Sequence, residues 1–367
     1  FTGSIETSEK LRNHPNIARH SIRFVAERDS LNASLLGPDV EPSQPEFDLF
    51  VREIVREMIA KTGQKCTAIR RILVPRAQEA AAIAALKTAL SAVKLGDPRT
   101  EDKVMGPLVS RAQRESVREQ IAKLAGETEI VFGDPNHCEG AGIDTKAGAF
   151  IGPVLLRATD PMSARRVHDT EAFGPVATVL AYDNLDQAIE LIARGEGSLV
   201  ASLFTYDAKV AAAVVLGIAP FHGRVLIVDR DCAKESTGHG SPMPSLLHGG
   251  PGRAGGGEEL GGMRAVYHYM QRTAVQASPG RLSSLTGSWL KGAPTPIAEV
   301  HPFKRNFDQL QVGDTIETAS RPITLADIEH FAEFTGDNFY AHMDEAAAKA
   351  NPFFPGRVAH GYLILAF

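Results

Sequence analysis

The sequence predicts an α/β fold for the larger part of the chain, followed by a linker and a smaller α+β part. Helical patterns cover residues 45–61, 77–93, 110–125 and 185–194, and strand-like runs cover residues 72–74, 129–132 and 178–181. This alternation is typical of a parallel-rich sheet covered by helices. Residues 278–300 are rich in Pro, Gly and Ser, which predicts a linker before the last part of the chain.

The first helical pattern, residues 45–61, has one apolar face and is stopped by Thr62 and Gly63. Its apolar residues at helical spacing are Phe47, Phe50, Val51, Ile54, Val55, Met58 and Ile59. Cys66 therefore lies in the turn before the next strand. The basic residues next to it are Lys65, Arg70 and Arg71. Positive charge around a thiol favours the thiolate, so this setting suits a nucleophile.

Cys66 and Glu27, which lies 39 positions earlier, are the candidate nucleophile and base. A thiolate can add to an aldehyde, the adduct can expel hydride, and the resulting thioester can yield to water. Composition alone also allows plainer interpretations. A lone cysteine is most often a small buried hydrophobe, and a carboxylate after an apolar run is usually a surface charge.

Four motifs in order resemble the aldehyde dehydrogenase family. They are Phe1-Thr2-Gly3-Ser4, the Glu27 segment, Gly63-Gln64-Lys65-Cys66, and Glu171-Ala172-Phe173-Gly174-Pro175-Val176. Residues 1 to about 275 are similar to the later two-thirds of such an enzyme. The resemblance implies that Cys66 is the nucleophile, that its backbone N–H helps to hold the oxyanion, and that Glu27 activates the deacylating water.

The same resemblance implies a nicotinamide cofactor. Glu171 would hold the nicotinamide ribose hydroxyls with Phe173 nearby, whereas Gly3 and Ser4 would lie where the backbone approaches the cofactor phosphates. Ser8 stands where a glycine often closes the phosphate turn in the family. The choice between NADP and NAD therefore stays open at these residues.

Near the carboxyl end, Thr324 and Asp327 form a capping-box pattern at the start of a helix. The apolar stripe of this helix is Leu325, Ile328, Phe331 and Ala332. Gly336 is expected to terminate it. The helix would then deliver Asp337, which is the first residue of a second candidate site.

Asp337 is followed five positions later by His342, and then by His360 and Gly361. An Asp and a His held together can share the activation of one water, and Gly361 at a helix start could donate its N–H to a thioester oxygen. Without a family, an Asp and a His at this spacing are also common turn and capping residues. The segment resembles the MaoC-like enoyl-CoA hydratases of the hotdog fold, although Phe339-Tyr340 replaces their usual Asn-Pro.

A dehydrogenase joined to a MaoC-like domain resembles the bifunctional ring-opening enzymes of bacterial phenylacetate degradation, and the Gly-rich run of residues 248–262 is similar to that branch. The resemblance implies hydrolytic opening of oxepin-CoA by the hotdog domain and NADP-dependent oxidation of the released semialdehyde, with NAD as the alternative cofactor. It also implies a coenzyme A thioester substrate and a homo-oligomer. Alternatives are a MaoC-like enoyl-CoA hydratase, a non-catalytic module that binds coenzyme A, or a scaffold.

The motifs place four regions on the chain. Residues 1–26 would end a dinucleotide-binding domain, residues 27–277 would form the dehydrogenase catalytic and oligomerisation region, residues 278–300 would be the linker, and residues 301–367 would begin a truncated hotdog domain. The chain starts inside one motif and stops inside the last domain. We therefore expect a fragment of a longer enzyme that is inactive by itself.

Positive charge is concentrated where the two predicted domains join. Between residues 263 and 305 the basic residues are Arg264, Arg272, Arg281, Lys291, Lys304 and Arg305, and the acidic residue is Glu299. One hypothesis is that this stretch lines the path of the coenzyme A phosphates while the acyl end moves between sites, so that the aldehyde stays close to the second site. The alternative is a solvated linker whose charges keep it soluble.

Composition predicts a cytoplasmic enzyme. The chain is 43% apolar and has no unbroken apolar run long enough to span a bilayer, so no membrane partner is expected. A net charge of −5 gives no reason to expect nucleic acid. The cysteines Cys66, Cys138 and Cys232 lack paired spacing, which favours a reducing compartment. Cys232, His239 and His248 are too widely spaced to preset a zinc site, so no metal is expected.

Overall fold

The structure is a computed structural model that describes residues 1–99, 105–140, 144–145, 147–257, 262–294, 304–315 and 321–366. The chain divides into two compact units, Phe1–Gln271 and Arg272–Phe367. The predicted nucleophile and base lie in the first unit, and the predicted Asp and His pair lies in the second.

The regular elements of the first unit alternate between helices and strands. The helices are α1 (Ile5–Arg12), α2 (Pro15–Arg19), α3 (Pro45–Ile59), α4 (Glu79–Ser91), α5 (Arg111–Leu124), α6 (Leu185–Ala193), α7 (Ala208–Ile218) and α8 (Met263–His268). The strands are β1 (Ala33–Leu36), β2 (Arg71–Pro75), β3 (Thr128–Phe132), β4 (Val154–Ala158), β5 (Val176–Tyr182), β6 (Ser198–Phe204) and β7 (His222–Val228).

All seven of these strands form one sheet in the order β3-β4-β5-β2-β1-β6-β7. Every neighbouring pair is parallel except β3 with β4, which is antiparallel. Strands β5 and β6 are buried along their whole length. Burial on both faces is typical of parallel strands that are covered by helices on both sides. The predicted α/β class with a parallel-rich sheet is therefore confirmed.

Successive strand residues enter two different apolar cores. Leu35 and Leu73 pack in one core with residues of α5, α6 and α7, whereas Leu36 and Ile72 pack in the other with residues of α3 and α4. Because side chains alternate across a strand, these two cores are the two faces of the sheet. The sheet is therefore the middle of three layers.

One buried cation joins the sheet to a covering helix. Arg71 in β2 is 1% exposed and donates to the carbonyls of Leu191 and Ile192, at 2.8 and 3.1 Å. These carbonyls lie in the last turn of α6, where a helix lacks intrahelical donors and where positive charge is favourable. Arg71 therefore stabilises the packing of this helix on the sheet.

The four predicted helices and three predicted strands of this unit are all present, with ends that differ by a few residues. The helix predicted at 77–93, for example, begins as a short 3-10 turn at Arg76–Gln78 and continues as α4. Strands β1, β4, β6 and β7 and helices α1, α2, α7 and α8 were not predicted. Strands β1 and β6 are buried along their whole length, so they lack the polar and apolar alternation that marks a strand in sequence.

The second unit contains α9 (Pro279–Thr286), α10 (Leu325–Thr335), α11 (Tyr340–Met343), α12 (Glu345–Ala350) and α13 (Gly361–Ala366). The predicted capping box of Thr324 and Asp327 is confirmed at α10, and Gly336 ends that helix in the left-handed conformation. The predicted linker holds α9, and its residues 295–300 lie outside the described part of the chain. No strand occurs among the described residues of this unit.

Candidate active site

Three predicted residues of the first site precede neighbouring parallel strands. Glu27 comes before β1, Cys66 before β2 and Glu171 before β5. These strands are adjacent in the order β5-β2-β1. Because parallel strands begin at the same edge of a sheet, their leading segments lie side by side. The site therefore lies at the amino-terminal edge, whereas open α/β sheets usually bind ligands beyond the carboxyl ends of their strands.

Three consecutive residues with left-handed backbone conformation shape the turn that carries Cys66. Helix α3 ends at Ile59, and Lys61, Thr62 and Gly63 then have φ values of 52°, 57° and 68°. A Cβ atom on Gly63 would lie 2.1 Å from the carbonyl oxygen of Gly174. Only glycine permits this approach, which confirms the predicted stop and anchors the loop to the segment before β5.

Asn32 holds the same loop from the other side. Its side-chain amide is completely buried and donates to the carbonyls of Cys66 and Ala68, at 2.8 and 3.0 Å. Its side-chain oxygen accepts from the Ser30 hydroxyl and from the backbone N–H of Val200. All four bonds of the amide group tie three segments together, so Asn32 positions the loop that presents the thiol.

The thiol and the carboxylate meet through a histidine. The distance from His248 Nε2 to Cys66 Sγ is 3.9 Å, and the distance to Glu27 Oε2 is 3.3 Å. One ligand atom from each of the three side chains lies within 4.8 Å of the others. Glu27 is buried at 5% exposure, while Cys66 and His248 are partly exposed. The sulfur is therefore neither sealed in the core nor turned away from the carboxylate.

The Gly-rich run places His248 against this pair. A Cβ atom on Gly250 would lie 2.2 Å from the Ser198 carbonyl oxygen, and a Cβ atom on Gly255 would lie 2.2 Å from that of Ala26. Arg28 also donates its backbone N–H to Ala254 at 3.1 Å. The described residues of this run therefore fold against the site, whereas residues 258–261 lie outside the described part of the chain.

The predicted positive charge around the thiol requires a correction. The Lys65 ammonium binds the buried carboxylate of Glu57 at 2.8 Å, and the Arg71 guanidinium binds carbonyls at the end of α6. Both cations therefore satisfy groups other than the thiol. Arg70 also has its own partner, because its guanidinium lies 3.3 Å from Glu171.

Glu171 is held in a buried ion pair. Its carboxylate accepts from Arg70 Nε at 3.3 Å and from the backbone N–H of Ser30 at 3.1 Å. Burial raises the pKa of Glu171 to about 7, and the positive charge of Arg70 opposes this rise. The Arg70 guanidinium also lies over the ring of Phe173, 5.5 Å from its centroid. Phe173 is 37% exposed toward the cavity.

All six residues predicted for this site line one cavity of about 370 Å³: Gly3, Ser4, Glu27, Cys66, Glu171 and Phe173. Gly3 is fixed by a hydrogen bond of 3.0 Å from its N–H to the Glu27 carbonyl, and Ser4 caps the start of α1. A carboxylate has about four acceptor positions, so Glu171 can still accept from ribose hydroxyls. The residues therefore fit the ribose and nicotinamide end of a cofactor.

The second site is a cluster of Asp337, His342 and His360, whose ligand atoms lie within 4.8 Å of one another. The two imidazole rings stack with centroids 3.8 Å apart. His342 Nδ1 lies 2.8 Å from the Val358 carbonyl, which can only accept, so this nitrogen carries the proton and Nε2 is free to act as a base. Gly361 begins α13, as predicted.

Sequence comparison decides the family of the first unit. The sequence profile described as "Aldehyde dehydrogenase family" matches residues 1–275. The chain belongs to the aldehyde dehydrogenase family. A second profile, described as "MaoC like domain", matches residues 308–367. The chain is therefore an aldehyde dehydrogenase domain followed by the start of a MaoC-like hotdog domain, which confirms the predicted fold class.

Two relatives of this aldehyde dehydrogenase chain share nearly half of the aligned residues. The 3,4-dehydroadipyl-CoA semialdehyde dehydrogenase of Aromatoleum evansii is 49% identical over 251 residues, which cover 68% of this chain and 49% of the relative. Protein MaoC of Klebsiella aerogenes is 47% identical over 262 residues, which cover 71% of this chain and 76% of the relative. The chain thus spans about half the length of the first of these curated relatives.

A solved aldehyde dehydrogenase has a similar fold. A point mutant of the betaine aldehyde dehydrogenase of Staphylococcus aureus, determined in complex with NAD⁺, has a TM-score of 0.63 and 27% identity, covering 73% of this chain and 50% of that one. Methylmalonate-semialdehyde dehydrogenase from Oceanimonas doudoroffii, at 22% identity, has the same TM-score and covers 75% of this chain and 52% of that one. The dehydrogenase fold is therefore shared with enzymes of low sequence identity.

Sequence reasoning missed two residues of the dehydrogenase site. His248 was considered as a widely spaced metal ligand and as the first residue of the Gly-rich run, and Asn32 was not singled out. The residues next to a single histidine in a Gly-rich run do not indicate which distant side chains it contacts. For Asn32 a signal exists, since a polar residue directly before the buried strand β1 must find hydrogen-bond partners in the interior.

Proposed function

We propose that the dehydrogenase domain oxidises a coenzyme A-linked semialdehyde to the corresponding acid. The observation that carries this proposal is the convergence of Cys66, Glu27 and Glu171 in one cavity. The relative named 3,4-dehydroadipyl-CoA semialdehyde dehydrogenase supports the substrate class. The MaoC-like domain also supports this substrate class, because the resemblance to MaoC-like enoyl-CoA hydratases implies a coenzyme A thioester substrate.

The first half of the reaction uses Cys66. Its thiolate adds to the aldehyde carbon, forming a C–S bond, and the carbonyl oxygen becomes an oxyanion near the Cys66 backbone N–H. A bound nicotinamide supplies the hydride acceptor. When the C–H bond breaks, the C–O double bond re-forms and the product is a thioester on Cys66. The aldehyde carbon is oxidised by two electrons in this step.

The second half uses Glu27. The carboxylate takes a proton from a water, whose oxygen then attacks the thioester carbon while the C–S bond breaks. The acid leaves and the Cys66 thiolate is restored. His248 Nε2 lies 3.9 Å from the Cys66 sulfur and 3.3 Å from the Glu27 carboxylate, so it contacts both groups. Glu171 and Phe173, which line the same cavity, would hold the ribose and the nicotinamide ring of the cofactor.

For the cofactor, NADP is our proposal and NAD is the alternative. The family match and the NAD⁺ complex of the betaine aldehyde dehydrogenase support a nicotinamide cofactor in general. NADP follows from the resemblance to phenylacetate ring-opening enzymes. A ratio of kcat/KM for the two cofactors measured on the full-length protein decides between them, and a preference for NAD by tenfold or more would contradict the NADP assignment.

The MaoC-like domain is proposed to open oxepin-CoA by hydrolysis. Water adds to the enol-ether carbon, the ring C–O bond breaks, and the released enol becomes the aldehyde. The His342 imidazole, with Nε2 as the base, and the Asp337 carboxylate take one proton from the water and return one to the product. Gly361 would donate its N–H to the thioester oxygen.

The alternative functions for this domain are hydration of an enoyl-CoA and binding of coenzyme A without catalysis. The test is to give the full-length protein, rather than this chain by itself, oxepin-CoA, an enoyl-CoA, and a CoA-linked semialdehyde in turn, with either nicotinamide. We expect semialdehyde oxidation and oxepin-CoA opening. Oxidation without any ring opening would support the binding module instead, and turnover of simple aldehydes alone would overturn the substrate assignment.

A further inference from the structure

We propose that Glu27, Cys66 and His248 bind one zinc ion, which reversibly blocks the dehydrogenase site. A thiolate, an imidazole and a carboxylate are the three ligand types that zinc uses in proteins. Spacing along the chain predicted no metal, because Cys232, His239 and His248 are widely separated. The structure instead brings His248 to two residues that lie far earlier in the chain.

The distances are close to those of a zinc centre. With Zn–S of about 2.3 Å and Zn–N of about 2.0 Å, tetrahedral angles place sulfur and nitrogen about 3.5 Å apart, and nitrogen and oxygen about 3.3 Å apart. The observed distances are 3.9 Å from Cys66 Sγ to His248 Nε2 and 3.3 Å from that nitrogen to Glu27 Oε2. Binding therefore requires side-chain shifts of a few tenths of an ångström.

The three ligands are held by separate supports. Glu27 is fixed by backbone hydrogen bonds to Phe1 and Gly3, at 2.9 and 3.0 Å. Asn32 holds the Cys66 carbonyl, and the close approach of Gly250 to Ser198 fixes the run that carries His248. A site whose ligands are positioned by their own scaffold needs little reorganisation when the metal enters.

The ligand set also selects the metal. Thiolate and imidazole ligands favour zinc over magnesium and calcium, which prefer oxygen ligands. Zinc binding replaces the thiol proton, which is released to solvent, so no oxidation or reduction takes place. Because the described residues supply three ligands, the fourth position would belong to a water on the side of the cavity that Cys66 and Glu27 line.

A bound zinc would block both halves of the reaction. Its bond to Cys66 removes the nucleophilic lone pair, and its bond to Glu27 removes the base. This inhibition rests on the proposed function, whereas the binding itself depends only on the three side chains. Removal of the metal by a chelator would restore activity, because no covalent bond of the protein changes.

The binding test is a titration of the reduced, purified protein with Zn²⁺ in competition with a chromogenic chelator. Co²⁺ serves as a second probe, since thiolate coordination gives a charge-transfer absorption. We expect one zinc site that is weakened at least about 100-fold in Cys66→Ser and in His248→Ala, and a cobalt–thiolate band that is absent from Cys66→Ser. The matched control is Cys138→Ala, which should bind zinc like wild type. Unchanged affinity in Cys66→Ser, or no thiolate band in wild type, would overturn the site.

Folding and function are separated by further measurements. Circular dichroism melts identify any variant that fails to fold, and Glu27→Gln, which keeps the size of the side chain, provides an independent ligand deletion with an expected loss of about tenfold or more. Zinc that binds without slowing aldehyde oxidation would overturn the inhibitory role. Full oxidation by Cys66→Ser in zinc-free buffer would instead overturn the proposed function and leave the binding result intact.

Discussion

The two candidate sites are built in different ways. Glu27, Cys66 and His248 come from three distant segments that meet at one edge of a seven-stranded sheet. Asp337, His342 and His360 come from one short stretch of turns and helices. In the first site each segment is fixed by interior contacts, whereas Asp337 in the second is exposed. The first site therefore brings together residues that are far apart in the sequence, whereas the residues of the second site are close together in the sequence.

The strongest test of this comparison separates the two sites by mutation. Cys66→Ala should lower the kcat of aldehyde oxidation by about 10⁴-fold or more, because the covalent step is lost. Opening of oxepin-CoA should not change. The steady-state rates of both reactions check this, with Cys232→Ala as the matched cysteine control. Loss of both activities together in a folded variant would show that the sites are not independent.

The reciprocal change is made in the second site. His342→Ala should lower ring opening by about 10²- to 10⁴-fold, which is typical of a general base, and should leave oxidation of added semialdehyde unchanged. His330→Ala is the matched control, since His330 is exposed in α10. Ring opening at the wild-type rate in His342→Ala would favour a domain that only binds coenzyme A.

Glycine substitutions compare how tightly the two sites are packed. A Cβ atom on Gly63 would lie 2.1 Å from the Gly174 carbonyl, while one on Gly361 would meet no atom within 4 Å. Gly63→Ala should therefore lower the free energy of unfolding by about 2 to 4 kcal/mol, and Gly361→Ala should change it by less than about 1 kcal/mol. Urea titrations of both variants measure this difference. Equal effects would mean that the Cys66 loop is not anchored as described.

The pH dependence of stability tests the burial of Glu171. Its folded pKa of about 7 lies above the ordinary value of 4.5 for a glutamate, so between these values the folded state holds a proton that the unfolded state has lost. The contribution of Glu171 to stability is therefore fully present at low pH and is lost as pH rises through about 7. Urea unfolding from pH 5 to pH 8 should show this loss in wild type and not in Glu171→Gln. Parallel curves would contradict the burial.

The smallest expected effect concerns the basic residues near the join of the two units. If this stretch guides coenzyme A phosphates, replacing Arg264 and Arg281 with Glu should raise the KM of the CoA-linked semialdehyde about two- to fivefold at low salt. The difference should disappear as salt screens the charges. Measuring KM across a salt series provides the check. An unchanged salt dependence would leave the stretch as a solvated linker.

Sequence patterns predicted the amphipathic helices well because their apolar residues recur locally, as in α3. They missed β1, whose four residues are all buried. For the sites, Asp337 and His342 are close in sequence, but their spacing alone also fits turn residues, and the resemblance to MaoC-like proteins singled them out. Glu27 and Cys66 lie close together because β1 and β2, which follow them, are parallel neighbours in the sheet. The position of His248 depends on how the Gly-rich run packs against other segments. Long-range packing, rather than local propensity, decides such contacts.

The central claim is that the thiol of Cys66 and the carboxylate of Glu27 act in succession on one substrate. Mass spectrometry of Glu27→Gln after brief exposure to the CoA-linked semialdehyde and NADP tests it most directly. The account predicts a thioester adduct on the peptide that contains Cys66, formed with one equivalent of reduced cofactor and hydrolysed slowly. Reduced cofactor without this adduct, or an adduct on Cys138 or Cys232, would contradict it.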